Sequence, residues 1–456
     1  MNPVYLKEFK KYSQSDLQKL LCVEDEEYLE VIKQLKAKGI LKESKESRYV
    51  FQFVGVIVCK HKLLFCLPKY LVKSDPKETM KQLLLLFQEY SRREKLSLEE
   101  LETFGDQNSP SALNYLSVIL FLIQDYLENG LYHNDKNIYV LNGDNGEIDW
   151  TKTINDEYAI IKENQPIYLD FYVRSVINDE SDYFRMLHMY VLTSSTKILD
   201  ELGLSEYFRI PKVEFDVDGT TLGTKEVILS RIMNEISVQY VNRKQIILKA
   251  IAAFISNDKI IKDDLNIEFF GSKNFEVVWE KICGFVFDNK YEKVMEYIDK
   301  PLWKPLDGEG HLVDTLKPDI VSVFQKKHKK YFIISDAKYY SIFLSERDLK
   351  NNPGVGDVTK QYLYELAFRQ LIVQLKIDYV HNLLLFPTEQ DSINYIGEVS
   401  IEFLKALELE NIKIVLLPAH MVFDMYIESK RIDLKSFCSY LDLLYKRQGD
   451  RLKDSN

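Results

Sequence analysis

The residues with the clearest chemical potential are two aspartates and a lysine in the last third of the sequence. Asp319 follows a proline, and Asp336 and Lys338 flank a single alanine. Carboxylate oxygens suit a hard cation such as Mg²⁺, which polarises a phosphoryl group and lowers the pKa of a water molecule. A lysine ammonium beside them can orient that water or offset developing negative charge. These residue types therefore indicate phosphodiester hydrolysis.

A strand hairpin would bring these side chains together. The apolar pattern predicts strands over 316–324 and 331–340. In an antiparallel pair, the start of one strand lies beside the end of the next, about 4.8 Å away. Asp319 and Asp336 are then within reach of one cation. Asp336 and Lys338 point to one face, because side chains alternate along a strand.

A helix predicted over 274–287 precedes the hairpin and carries Glu276 and Glu280 one turn apart. Residues one turn apart share a helix face, so either glutamate can complete the ligands of the cation. The basic segment 325–330, at the tip of the hairpin, is expected to hold the polynucleotide that flanks the reacting bond.

Composition and charge limit the class of protein. The chain has 456 residues, of which 46% are hydrophobic and 29% charged, which is typical of a globular chain of roughly two to four domains. No apolar run approaches the roughly 20 residues of a membrane-spanning helix, and the five cysteines form no CxxC pair. We therefore predict a cytoplasmic protein with no membrane partner. A net charge of −10 is poor for independent DNA binding, which depends on neutralising phosphates.

The patterns predict three segments. Residues 1–70 are predicted to form two helices and a hairpin, a winged-helix-like N-terminal module. Residues 71–265 form a mixed middle region for scaffolding or for docking of a partner or DNA, and residues 266–456 alternate strand and helix. The second N-terminal helix opens with acidic residues at 24–27, which phosphates repel, and this favours protein contact over DNA reading.

The motifs resemble a known nuclease pattern. Glu280, Pro318-Asp319 and Asp336-Ala337-Lys338 are similar to the PD-(D/E)xK motif, with aspartate where glutamate is commoner. More narrowly, the chain resembles the LlaJI family of restriction endonuclease subunits, which are related to McrC. The stretches that support this are 54–57, 67–70, 148–154 and 356–362. The resemblance implies a multidomain α+β and α/β chain whose C-terminal domain is a restriction-endonuclease-like mixed sheet flanked by helices.

The resemblance also implies roles and partners. Glu280 is preferred over Glu276 at the helix position, and Gln361, on a helix predicted over 357–368, is expected to line the site. Family members act as nuclease subunits beside a McrB-like GTPase. The expected activity is Mg²⁺-dependent cleavage of unmodified foreign double-stranded DNA, as a type II-like restriction endodeoxyribonuclease working with that GTPase and with further restriction components.

The chain itself carries no phosphate loop. Segment 219–225 ends in Gly-Thr-Lys, but Glu226 stands where a P-loop needs Ser or Thr, so a polar turn is the better interpretation. This absence in the sequence agrees with GTP hydrolysis by a partner.

Two other interpretations stay open at this point. One is a different PD-(D/E)xK nuclease that acts on RNA, on junctions or in transposition. The other is a non-catalytic assembly subunit with a degenerate nuclease domain, against which the intact Asp319, Asp336 and Lys338 argue.

Overall fold

The computed structural model of the protein describes residues 3–21, 25–45, 48–59, 62–94, 115–256, 267–313 and 316–443. The chain packs as two compact units, which comprise Met1–Ala112, Glu206–Arg209 and Asp264–Asn456 in the first and Leu113–Ser205 and Ile210–Asp263 in the second. Both units mix helices with strands, and the strands form several separate sheets. The predicted mixed α+β class is confirmed at this level, and the division at residues 70 and 265 stays a prediction.

The first unit begins with short strands and three helices. Their bounds are β1 Val4–Lys7, β2 Lys11–Tyr12, α1 Gln14–Leu21, α2 Asp25–Ala37, β3 Leu41–Glu43, β4 Tyr49–Phe51, β5 Val54–Cys59, β6 Lys62–Leu67 and α3 Pro76–Arg93. Strands β2, β4 and β3 form a small antiparallel sheet. Leu17, Val31 and Leu35 of the two helices are buried in the same apolar core as Phe51 of β4. The assignment of this segment as a winged-helix-like module stays a prediction.

The second unit holds α4 to α6, α8 and α9 with five strands. The elements from 115 to 256 are α4 Tyr115–Asn129, β7 Asp135–Leu141, β8 Glu147–Ile148, α5 Trp150–Asp156, β9 Ala159–Lys162, β10 Gln165–Tyr168, β11 Tyr172–Asn178, α6 Tyr183–Leu202, α7 Ser205–Phe208, α8 Lys225–Val238 and α9 Asn242–Ser256. Strand β11 pairs with β7 and β8, and β9 pairs with β10. The glycine-rich segment Gly219–Leu222 is a short 3-10 turn capped by Asp218, so a polar turn is what the structure has there.

The remainder of the first unit carries the largest sheet. Its elements are β12 Ile267–Ser272, α10 Phe275–Val286, α11 Tyr291–Val294, β13 Leu302–Trp303, β14 His311–Leu312, β15 Ile320–Lys326, β16 Lys329–Ala337, β17 Phe343–Leu344, β18 Leu349–Lys350, α12 Val355–Ala367, α13 Arg369–Gln374, β19 Tyr379–Thr388, β20 Asn394–Val399, β21 Ile412–Pro418 and α14 Ala419–Ile427. Residues 434–443 are helical. Across the described residues, no helix is both long and apolar enough to span a membrane.

The largest sheet is mixed and has the strand order β15-β16-β19-β21-β20. Strands β16, β19 and β21 run parallel, and β15 and β20 pair antiparallel at the two edges. Strand β16 is buried from Tyr331 to Ala337, as expected for a parallel strand covered on both faces. Phe332 and Ile334 of β16 pack with Tyr364 and Phe368, from α12 and the residue that follows it.

A four-stranded sheet joins the N-terminal segment of the first unit to the start of its C-terminal segment. Its order is β1-β6-β5-β12, and Gly55 of β5 lies directly opposite Gly271 of β12. Both glycines have positive φ, +144° and +155°. A Cβ on Gly55 would lie 2.3 Å from the Phe270 carbonyl oxygen, and one on Gly271 would lie 2.1 Å from that of Val54. The glycine pair therefore lets the two strands approach, which explains why a glycine stands in the stretch 54–57.

Gly55→Ala is expected to lower the free energy of unfolding by about 1–3 kcal/mol, because the clashing atom belongs to the backbone of the opposite strand. Gly356→Ala is the matched control. Its added Cβ meets open space in the exposed first turn of α12, so we expect no loss of stability. Urea unfolding of both variants measures the difference, and a Gly55→Ala protein as stable as wild type would contradict the assigned strand pairing.

Candidate active site

The β15–β16 hairpin brings the two predicted aspartates to the same end. The strands pair from Ile320 opposite Ser335 to Lys326 opposite Lys329. Asp319 immediately precedes β15, and its Oδ2 accepts a hydrogen bond of 2.9 Å from the Ala337 backbone N–H. Asp336 is only 8% exposed. This end is also the carboxyl end of the parallel strands β16 and β19, where open α/β sheets place their ligand sites.

Lys338 lies between two carboxylates. Its Nζ is 2.7 Å from Asp336 Oδ2 and 3.0 Å from Asp357 Oδ1. Its backbone N–H donates to the Leu385 carbonyl oxygen at 2.8 Å, which continues the β16–β19 pairing by one residue. Burial alone would lower the pKa of Lys338, but the two ion pairs outweigh burial and raise it. The lysine is therefore a fixed, protonated cation at neutral pH.

The structure separates the two candidate glutamates of α10. Glu280 is partly buried, and burial raises the pKa of its carboxyl group, with a further increase from the charge of Asp336 and a decrease from Lys338. Glu276 is exposed at the start of the helix. Glu280 is thus the glutamate whose side chain is electrostatically coupled to the residues of the hairpin end.

The carboxylates at this end repel one another. Burial raises the pKa of Asp319, and the negative charges of Asp336 and Glu280 raise it further. The described residues hold no group of three or more His, Cys, Asp or Glu side chains already arranged around a cation. The donor chemistry nevertheless fits a divalent cation, because oxygen ligands are the ones it takes and its charge would relieve the repulsion.

Gln361 lies on α12, fully buried under the sheet. Its Nε2 donates to the carbonyl oxygens of Ile334 and Leu383, both at 3.2 Å. These hydrogen bonds go to the backbones of β16 and β19 rather than to a carboxylate. The Nε2 of Gln361 thus links α12 to the central strands, and the role of Gln361 in the site stays a prediction.

Asp357 is the site residue that the sequence analysis missed. It stands on α12 four residues before Gln361, so the two share a helix face. The four-residue spacing from Gln361 was the sequence signal that could have indicated Asp357. A Gly-Asp pair at the start of a helix is usually exposed to solvent, so it does not by itself indicate contact with Lys338. Tyr364 lies close to the two aspartates of the hairpin end, and its hydroxyl donates to the Lys317 carbonyl oxygen at 3.1 Å. Burial and then the charges of Asp336 and Asp319 raise the pKa of Tyr364 to about 12.

The basic tip of the hairpin is not beside the carboxylates. Lys329 begins β16 and Asp336 lies seven residues later, so at about 3.3 Å per residue they are about 23 Å apart. Lys329 is also engaged, with its Nζ 2.8 Å from Asp378 Oδ1. Contact between segment 325–330 and the DNA that flanks the reacting bond stays a prediction, and this distance puts such a contact several nucleotides away from that bond.

Comparison with known proteins agrees with this chemistry. The family model of the LlaJI restriction endonuclease matches residues 53–420. The chain is 30% identical over 428 residues to the type II restriction enzyme BsuMI component YdjA of Bacillus subtilis (strain 168), which covers 91% of this chain and 89% of the relative. These matches define a nuclease subunit of a restriction system. The chain belongs to the LlaJI restriction endonuclease family, as the sequence motifs predicted.

One solved structure resembles the chain weakly. It is a refined half-complex from a tetradecameric assembly of Thermococcus gammatolerans McrB AAA+ hexamers with bound McrC. The match covers 94% of this chain and 99% of that chain, at 14% identity and a TM-score of 0.36. This similarity is too low to define the fold.

Asp319→Asn should change how stability depends on pH. The folded-state pKa of Asp319 lies above the unfolded value of about 4, so this carboxylate lowers the free energy of unfolding progressively as pH rises from about 4 toward the folded pKa. Without divalent cations, we expect the variant to gain stability over wild type, and to gain more at pH 8 than at pH 5. Urea unfolding in EDTA at both pH values measures this.

Asp378→Asn is the control with the opposite sign. The bond to Lys329 and the Lys330 N–H lower the pKa of Asp378, so its contribution is already complete above about pH 4. Its removal should cost a similar amount of stability at pH 5 and pH 8. A gain for Asp319→Asn that does not vary with pH would contradict the assigned repulsion.

Proposed function

We propose that this chain is the catalytic subunit of a restriction system and hydrolyses phosphodiester bonds of unmodified double-stranded DNA in a Mg²⁺-dependent reaction. The assignment is a type II-like endodeoxyribonuclease of the PD-(D/E)xK superfamily. The observation that carries it is the convergence of Asp319, Asp336, Glu280 and Lys338 at one end of the β15–β16 hairpin. Membership of a restriction endonuclease family supports the same reaction class.

The carboxylates of Asp319, Asp336 and Glu280 would hold the cation. When bound, Mg²⁺ polarises the phosphoryl group and lowers the pKa of a nearby water. The chain's own part is positional. The Ala337 N–H fixes the Asp319 carboxylate relative to β16, and Asp336 with Asp357 fixes the Lys338 ammonium.

Lys338 acts as a charge rather than as a base. Because its pKa is raised, the side chain stays protonated and has no lone pair with which to accept a proton. It can donate a hydrogen bond to the attacking water or to a phosphoryl oxygen on which negative charge develops. Asp357 is then a positioning residue, since it contacts the lysine and not the carboxylates of the cation site.

Asp336→Asn and Lys338→Ala should each lower cleavage by at least about 100-fold, because each removes a charged group from the reacting centre. Asp378→Asn, in an ion pair with Lys329 away from the site, should cleave like wild type. The measurement is plasmid cleavage by the reconstituted complex with Mg²⁺, with the melting temperature of each variant. Near wild-type cleavage by a folded Asp336→Asn protein would mean that the site is wrong and would favour a non-catalytic assembly subunit.

A McrB-like GTPase subunit is the partner in this proposal. The sequence has no phosphate loop, and its net charge of −10 is unfavourable for DNA binding alone. The second unit also exposes many apolar side chains between 135 and 178. Exposed apolar surface of this kind marks protein contact sites. Examples just before β9, on β9, β10 and β11, and between these strands are Tyr158, Ile160, Ile161, Ile167, Leu169 and Val176.

The double change Ile160→Asp and Ile167→Asp tests that surface. The two residues are direct cross-strand neighbours and are 53% and 42% exposed. We expect the partner complex to weaken at least about 10-fold, since burial of one such side chain contributes roughly 1.5–3 kcal/mol. The melting temperature of the isolated chain should change little.

Val238→Asp provides the control, because Val238 is also exposed in the second unit but lies outside 135–178. Titration of the chain with a McrB-like GTPase measures affinity, and a plasmid assay with and without the GTPase and GTP measures dependence. Site-specific cleavage by the chain alone at the rate of the complex would refute the partner requirement.

A further inference from the structure

A cavity of about 790 Å³ opens in the first unit next to the end of β16. Its wall begins at Tyr340, just beyond Lys338, and its other side comes from the N-terminal strands. We call it the lysine cleft. The lining residues that matter here are Lys7, Phe9, Lys10, Lys69, Tyr340 and Asn351.

The lysine cleft is basic although the whole chain is acidic. It contains three lysines and a single lining carboxyl group, that of Glu8. Glu8 is 2% exposed, and burial raises its pKa to about 7, so it adds little negative charge at the surface. Lys7 Nζ donates to the Leu71 carbonyl oxygen, and the charges of Glu389 on Lys7 and of Glu276 on Lys69 come from outside the lining. The lining of the cleft therefore carries more positive than negative charge.

Lys69 lies over several aromatic rings. Its Nζ lies 4.2 Å from the ring centroid of Tyr339 and 4.9 Å from that of Phe9. Tyr339 donates a 2.6 Å hydrogen bond to Glu8 Oε2, which also accepts from the Lys69 backbone N–H at 3.3 Å. Burial lowers the pKa of Lys69, and the charges of Glu8 and Glu276 offset only part of that effect. An anionic ligand in the cleft would offset more of it.

Two exposed aromatic rings flank the lysine. Phe9 is 46% exposed and Tyr340 is 38% exposed. Phe9 also has a φ of 57°, in the left-handed region that bulky side chains avoid. Hydrogen bonds from the N–H groups of Glu8 and Phe9 to β6 and Phe51 hold that turn. Aromatic faces interleaved with cations are the surface on which nucleic-acid strands stack and pair their phosphates.

We propose that the lysine cleft binds the DNA strand that flanks the scissile bond. Lys69 and Lys10 contact its phosphates, and Phe9 and Tyr340 contact an adjacent sugar or base. The proposal rests on the proposed function and gives the substrate strand a path that starts directly beyond Lys338. It also supplies the backbone contact that the distant hairpin tip cannot make next to the reacting bond.

The experiment separates DNA binding from cleavage. DNA affinity of the reconstituted complex is measured in EDTA over a range of salt for wild type, Lys10→Ala, Lys69→Ala, Lys69→Arg and Phe9→Ala, with Lys405→Ala as a surface control. We expect Lys10→Ala and Lys69→Ala to lose about 10-fold in affinity and about one unit of salt slope each. Lys69→Arg should retain most of the affinity, and Phe9→Ala should weaken binding without changing the slope.

Cleavage by the same variants gives the second readout. A positioning role predicts a raised KM with a smaller loss in kcat, whereas Asp336→Asn loses kcat and keeps its DNA affinity. Failure of the cleft and failure of the nuclease assignment are therefore distinguishable. Lys10 and Phe9 are exposed, so their variants decide the question even if Lys69→Ala fails to fold.

Wild-type affinity and salt slope in Lys10→Ala and Phe9→Ala would overturn the proposal. It would also be overturned if these changes weakened the binding of inorganic pyrophosphate or GTP and left DNA affinity unchanged, because the cleft would then be a nucleotide site.

Discussion

The repulsion between partly buried carboxylates at the end of the β15–β16 hairpin is the constraint around which the site is arranged. The charge of Asp336 raises the electrostatic cost of ionising Asp319 and Glu280, and the charge of Glu280 raises that of Asp319 further. A fold selected only for stability would avoid such a cluster, since a buried charge without a partner is expensive. Lys338 offsets part of this charge, but it is shared with Asp357. The balance left at the hairpin end is negative, which suits a divalent cation.

The surrounding elements hold this unfavourable arrangement in place. The buried amide of Gln361 ties α12 to two central strands, and α12 in turn carries the aspartate that holds Lys338. On the other side, Tyr339 anchors the end of β16 to Glu8 of the N-terminal segment. Hydrogen bonds of the buried Gln361 and Tyr339 side chains therefore help to hold the site, and neither of these two side chains has to ionise to form them.

The same geometry relates an acidic chain to an anionic substrate. A net charge of −10 spread over the surface gives no general attraction for DNA, so affinity has to come from local features or from a partner. The lysine cleft concentrates positive charge beside the proposed reacting centre, and the apolar surface of residues 135–178 offers a place for another subunit. Contact of DNA with the lysine cleft and assembly with another subunit are thus two complementary ways in which an acidic chain would bind DNA.

The sequence by itself determined the parts of the site that are close along the chain. Asp319, Asp336 and Lys338 belong to one hairpin, and strand alternation with antiparallel pairing is enough to bring them together. Glu280 precedes them on a helix whose apolar face can be recognised in the sequence. The family followed from the same motifs. The strands are shorter than predicted, since β15 begins after Asp319 and β16 ends before Lys338. The strand propensity of individual residues does not show where the hydrogen-bonded pairing of two strands stops.

Only the tertiary structure decided the contacts between distant segments. Asp357 contacts Lys338 because α12 packs on β16. Glu8 contacts Tyr339, although 331 positions separate the two residues in the sequence. Gln361 is of a residue type expected in the site, yet the packing of α12 directs its Nε2 to the backbone carbonyl oxygen of Ile334. The hairpin tip is basic, but the length of the strand places it about 23 Å from the carboxylates. Residue type and local period fix which side chains share a face, whereas the packing of helices and strands far apart in the chain fixes which faces meet.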